Sequence, residues 1–265
     1  MVIFCYLPSL SMPYIFRPFH ILLTLSIIFA SPVLAWSSVA AASVVVKDFS
    51  GVASGLFNNM RTPAALIGGA IVPLGLLTAP ALIEGEPKRI QLFKKANLLL
   101  AIASLLSEIL AITYSTVAIN KLAEVQFPLT VGVSELIAKN FEMAWIGTNV
   151  HFLLGMFGFG LLVGNKAYFL YGEKIGKIAG CWSVAAFLQC SSIVNRGISM
   201  GNGGDVGDVG SRFASNLFTL SLRYVGLVVS KARDRPLSMA AVGVALYSVF
   251  LTGQMVKDAL KEKVE

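Results

Sequence analysis

Residues 96–119 read Ala-Asn-Leu-Leu-Leu-Ala-Ile-Ala-Ser-Leu-Leu-Ser-Glu-Ile-Leu-Ala-Ile-Thr-Tyr-Ser-Thr-Val-Ala-Ile, and Glu108 is their one charge. A stretch of about 20 apolar residues is long enough, as a helix, to cross the hydrocarbon core of a bilayer. Within it Asn97, Ala101, Ser104, Glu108, Ala111 and Ser115 recur every three or four residues. That spacing puts them on one helical face. The face is small and polar, and a face of this kind lets another helix approach closely.

Similar runs lie on either side. Thr62 to Ile83 has no charge, but Pro73 and Pro80 interrupt it. Proline is tolerated in a membrane helix where neighbours satisfy the carbonyls it frees. Four further runs follow: 142–164, 178–200, 212–231 and 237–256. The expected fold is an all-α polytopic bundle of six spans within 62–256, followed by a polar tail at 257–265. Composition agrees: 56% of the residues are hydrophobic and 13% charged, about half the charged share of a soluble protein. The net charge of +7 does not mark a nucleic-acid binder, because the basic residues sit in short loops between apolar runs.

Those loops alternate. Lys88, Arg89, Lys94 and Lys95 follow the first span; Lys166, Lys174 and Lys177 the third; Lys231, Arg233 and Arg235 the fifth. The loops between them are poorer, with Lys121 and Lys139 in one and Arg196 in the other. The basic loops should share one face of the membrane, with both termini on the opposite, translocated face.

The N-terminus carries a targeting pattern. Ile21 to Ala30 is apolar, Arg17 and His20 precede it, and Val33-Leu34-Ala35 supplies small residues at a cleavage site. Residues 1–35 therefore read as a signal peptide. Residues 36–61 read as a transit-like or flexible mature N-terminus. Trp36 would become the first mature residue, and the Ser/Ala-rich stretch behind it has no acid before Asp48. This arrangement resembles the bipartite plastid-targeting leader of algae with complex, red-derived plastids. Trp36 stands where that leader usually has Phe, and Lys47 and Arg61 are the only bases in the transit-like part. The resemblance implies entry through the secretory pathway into a plastid, with the thylakoid as one destination. An ordinary secretory-pathway membrane is the alternative.

The fifth span is the least apolar. Arg212, Ser215, Asn216, Thr219 and Arg223 form a polar stripe, so this helix either lies in the interface or spans with the stripe turned inward. Val133 to Phe141 is amphipathic and suits the membrane surface or an ordered connector. Residues 201–210 repeat Gly-Asp-Val and read as a flexible, solvated loop. Cys181 and Cys190 are nine residues apart on one helix, face opposite sides and cannot pair there.

Three intramembrane ionisable groups are the candidate site residues. Glu108 and Arg223 lie near the middle of their spans, where each requires a partner, and the simplest arrangement pairs them. Such a pair either fixes helix register or serves as an ion, proton or solute site. His151 has Gly147 and Gly155 on its face, four residues to either side. It is a candidate axial ligand for haem or chlorophyll, or a hydrogen-bonded histidine at a helix contact. Gly160 and Gly164 have the GxxxG spacing of packing glycines. No His/Cys/carboxylate metal cluster, nucleophile elbow or dinucleotide fingerprint occurs, which disfavours an enzyme. The leading expectation is a non-enzymatic structural or assembly component, embedded in the lipid bilayer and associated with a larger membrane complex. The alternatives are a small-solute or ion transporter built on Glu108 and Arg223, and a pigment- or haem-binding subunit built on His151.

Overall fold

The computed structural model describes residues 46–200, 213–232 and 236–261. The signal peptide, the first part of the transit-like stretch, the Gly-Asp-Val loop, Arg212, Arg233, Arg235 and the last four residues lie outside the described residues. Six α-helices make up the rest: α1 Ser50–Ile71, α2 Lys88–Glu124, α3 Val133–Asn140, α4 Glu142–Met200, α5 Leu217–Ala232 and α6 Pro236–Lys261. Among the described residues, four stretches are long and apolar enough to cross a membrane: Ser50–Leu77, Lys88–Glu124, Glu142–Arg196 and Pro236–Lys257.

Helix α1 starts twelve residues before the charge-free run at 62, so residues 50–61 are helix rather than a flexible N-terminus. Their inner face carries Ala53 and Phe57, both fully buried. Charge counting missed this extension because Asn58, Asn59 and Arg61 occupy the outer face. Asp48 accepts a hydrogen bond from the Ser50 backbone N–H at 2.9 Å, which holds its carboxyl below the usual carboxylate range. Pro73 lacks an N–H, and the chain answers it with a π-helical turn over Val72–Leu77. The Thr78 hydroxyl then bonds the Pro73 carbonyl at 2.8 Å and the Leu74 carbonyl at 3.2 Å. The helix ends before Pro80.

Helix α4 is two arms. At Gly172 the backbone takes φ +81° and ψ −176°, a region open essentially to glycine alone. Beyond it the chain folds back along itself. A Cβ on Gly164 would lie 3.2 Å from the Gly180 Cα, and one on Gly176 would lie 2.5 Å from the Tyr168 Cβ. Further out, the rings of Phe157 and Phe187 meet at 4.1 Å. All three contacts are centred on residue 172, so 142–171 and 173–200 form an antiparallel hairpin. At 1.5 Å per residue each arm is over 40 Å long, about enough to cross a membrane separately.

Helix α2 is the central element. Its buried residues are Lys94, Asn97, Ala101, Ser104, Glu108, Ala111, Ser115, Ala118 and Leu122. They alternate steps of three and four, the seam spacing of supercoiled helices. Helix α1 packs against this seam with Ala64, Gly68 and Ile71, the π-helical turn after it with Gly75, and the first arm of α4 with Gly155, Gly158 and Leu162. The amphipathic α3 buries Val133, Leu136 and Ile137 beside Phe57 and Phe141, which makes it an ordered connector.

The first two of the three basic segments meet at one end of the bundle. Lys94 reaches the Glu86 carboxylate at 2.6 and 2.7 Å and the Ala81 carbonyl at 2.6 Å. Lys166 bonds the Thr78 carbonyl, Asn165 bonds Asn97 at 3.1 Å, and Phe93 packs on Tyr168 and Phe169. The loops after the first and third expected spans therefore share an end, as the alternation of charge requires. Helix α5 has only 16 residues, about 24 Å, which is short for a crossing. The polar residues before it are its cap: Asn216 Oδ1 accepts from the Thr219 N–H at 2.9 Å, and Asn195 of α4 accepts from the Leu217 N–H at 2.8 Å.

The Gly172 geometry sets a test. Gly172→Ala should destabilise the detergent-solubilised protein by about 1–3 kcal/mol in thermal melts. Gly160→Ala should change it by no more than about 1 kcal/mol, because a Cβ there meets nothing within 4 Å. Equal effects at the two glycines would contradict the fold-back.

Candidate functional site

The groups able to do chemistry lie between α2 and the first arm of α4, near mid-bundle. Glu108 is fully buried. Its Cβ rests 3.4 Å from where a Cβ on Gly68 of α1 would stand, and its carboxyl fills the space that a Cβ on Gly155 would take. Any side chain at 155 would overlap the carboxyl, with Cγ of Glu108 only 2.6 Å away. One turn earlier on α2, the Ser104 Cβ lies 2.8 Å from the corresponding point on Gly158. Glycine at 68, 155 and 158 thus makes room for the polar face of α2.

The other polar groups on that face satisfy themselves. Ser104 and Ser115 donate to the carbonyls of Leu100 and Ala111, four residues back, at 2.7 and 2.8 Å. Glu108 has no such option, and neither carboxyl oxygen has a hydrogen-bond partner.

Toward the α3 end of the bundle, an aromatic group brings together three helices. The Tyr114 ring of α2 lies along the His151 ring of α4, with centroids 6.1 Å apart and planes 17° apart. Tyr224 of α5 meets His151 edge-on at 5.0 Å, and its Oη is 2.6 Å from Nε2 of His151. The Tyr114 and Tyr224 hydroxyls are 3.4 Å apart, long for an O–H···O bond. Nδ1 of His151 and Oγ1 of Thr148, one turn earlier on α4, are buried without partners.

Glu108 and Arg223 do not meet. Arg223 is ion-paired to Glu142 at the start of α4, with Nε 2.7 Å from Oε1. It also donates to the Phe213 carbonyl at 3.3 Å and lies over the Phe213 ring. The reason is depth. The Arg223 guanidinium is held at the first turn of α4, whereas Glu108 faces Gly155, 13 residues further along. Glu142 is the partner that sequence reasoning missed, since it stood at the edge of a span and was counted as a boundary. A transporter site made of Glu108 and Arg223 together is therefore not assembled.

The glycines around His151 serve other residues. Gly147 seats Tyr114, whose Cε2 is 2.9 Å from where a Cβ would be, and Gly155 seats Glu108. Both spaces are filled in this packing, and Nε2 of His151 is engaged by Tyr224. Gly164 is a packing glycine against Gly180, but a Cβ on Gly160 would meet no neighbour. Among the described residues no group of three or more His, Cys, Asp or Glu is placed to hold a metal. No family model, curated protein or solved structure matches the chain.

The Arg223–Glu142 pair is partly exposed, and its coupling should be modest. A double-mutant cycle of Arg223→Met with Glu142→Gln should give about 0.5–1 kcal/mol. The cycle of Arg223→Met with Glu108→Gln should give none. Coupling to Glu108 larger than coupling to Glu142 would overturn the assignment.

Proposed function

We propose that this multi-pass membrane protein is a non-enzymatic structural or assembly component of a larger membrane complex, crossing the bilayer six times, the short α5 by local thinning of the bilayer around it. The observation that carries this reading is α6. It is long and apolar enough to span, yet none of its most apolar window is buried within the chain. Leu237, Val244, Leu246, Tyr247, Val249 and Phe250 are all exposed around it. Lipid or the helices of other subunits must cover these faces. Small-residue packing in the bundle interior, rather than a reactive cleft, supports the same reading.

The compartment is part of the proposal. The resemblance of the leader to a bipartite plastid-targeting sequence favours a plastid membrane, the thylakoid among them, over a secretory-pathway membrane. Helices α5 and α6 would then bring the third basic loop to the face shared by the other two, which in a thylakoid is the stroma.

A C-terminal fluorescent fusion in the source cell should coincide with chlorophyll autofluorescence. A reticular or plasma-membrane pattern would contradict the plastid assignment. Solubilised in mild detergent, the protein should migrate on native gels well above its own 28.3 kDa plus the micelle. Migration as a monomer that conducts ions or solutes in vesicles would contradict the assembly role.

A further inference from the structure

Among the described residues, the buried side-chain atoms without a hydrogen-bond partner are Oε1 and Oε2 of Glu108, Oγ1 of Thr148 and Nδ1 of His151. All of them lie in one stretch of the contact between α2 and α4. Thr148, His151 and Gly155 share a face of α4, spaced by three and four residues. Gly155 is the residue against which the Glu108 carboxyl rests. From Thr148 to Gly155 the helix rises about 10 Å. A buried polar group left without a partner is costly, so three side chains of this kind in one patch call for an explanation.

The surroundings narrow what the patch can bind. Helix α1 presents Gly68 to Glu108 and no charged group. From α4 comes His151, from α2 Tyr114, and from α5 Tyr224, whose hydroxyl is bonded to Nε2 of His151. Arg223 is held by Glu142. No cation therefore reaches Glu108 among the described residues. An isolated carboxylate at that depth is several kcal/mol unfavourable, whereas a neutral acid avoids the charge and retains an O–H donor.

We propose that Glu108 and His151 form a buried proton-binding site. Its one exchangeable proton rests on the Glu108 carboxyl in the packed bundle. It passes to Nδ1 of His151, one helical turn from Gly155, when the carboxyl turns toward the imidazole. The transfer breaks the Glu108 O–H bond and forms an N–H bond at Nδ1. It leaves a carboxylate beside an imidazolium, with no net change of charge. The imidazolium keeps its Nε2–H, which donates to the Tyr224 hydroxyl. Because Glu108 is wedged between Gly68 and Gly155, moving its carboxyl also loosens α2 from α4. Proton binding and helix packing are thus linked.

Infrared difference spectroscopy on the full-length protein in lipid bilayers tests this. At neutral pH the wild type should show the C=O stretch of a protonated carboxylic acid, and the band should shift in heavy water. Labelling with 13C-glutamate should move the band in the unmutated chain, so its assignment does not depend on any variant folding. Glu108→Gln, an isostere of the neutral acid, should abolish the band. Difference spectra taken on warming the wild type at fixed pH should lose carboxylic-acid intensity and gain an imidazolium ring band that moves with 13C-histidine labelling; neither change should appear in His151→Gln. A folded wild type with no protonated glutamate band at neutral pH would overturn the site. So would a band that survives Glu108→Gln. Wild-type difference spectra with no imidazolium band, or an imidazolium band that survives in His151→Gln, would remove His151 from it.

Discussion

The close approach of three helices along the small-residue seam of α2 is the constraint on which the rest of the structure depends. Within lipid there is little hydrophobic gain in bringing apolar helices together, so van der Waals contact and buried polar groups must hold them. Contact of this kind requires backbones near one another. The seam permits it by placing Ala101, Ser104, Ala111, Ser115 and Ala118 where larger side chains would keep α1 and α4 away. Where the π-helical turn meets α2, a Cβ on Gly75 would lie 2.5 Å from the Ala101 Cβ. The π-helical turn at Val72–Leu77 delivers Gly75 to that contact, and Pro73 and Thr78 shape the turn.

Both ends of the bundle follow from the seam. Where α2 begins, Lys94 is drawn into a pair with Glu86, and Asn97 meets Asn165. Where α2 ends, Ala118 and Leu122 join Ala53 and Phe57 of α1 with α3 in an apolar cluster. Between these ends lies Glu108, a polar seam side chain whose carboxyl oxygens have no hydrogen-bond partner. Glycine at 68 and 155 accommodates its bulk but leaves its polarity unmatched. The packing that makes the protein rigid also isolates its carboxyl.

Much of this was legible in the sequence. The six residues read from 97 to 115 as one small, polar face are all buried, because a period of three and four fixes a face whatever covers it. The basic loops could be grouped because charge in loops is independent of helix packing. Contacts between helices were not legible in the same way. Glu108 and Arg223 each read as mid-span, but relative depth depends on where helices begin. The Ser/Asn/Thr cluster before α5 turned out to be a cap that starts the helix at Leu217. Gly147 and Gly155 were read as room beside His151; which ring or carboxyl fills that room is a property of α2, not of α4. The reversal at Gly172 left only a short polar segment as its trace. The start of α1 was obscured by Arg61, whose charge hid the continuation of the Phe57 face.

The most direct measurement of the central claim is the stability, in lipid nanodiscs, of Gly75→Ala, Ala101→Gly and the double variant. Gly75→Ala alone should cost about 1–3 kcal/mol, because the added methyl drives α1 from α2. In the double variant the methyl removed from α2 makes room for the one added to α1, and at least half of that loss should return. A double variant as unstable as the sum of the two single changes would show that α1 and α2 do not meet at this point, and would contradict the account.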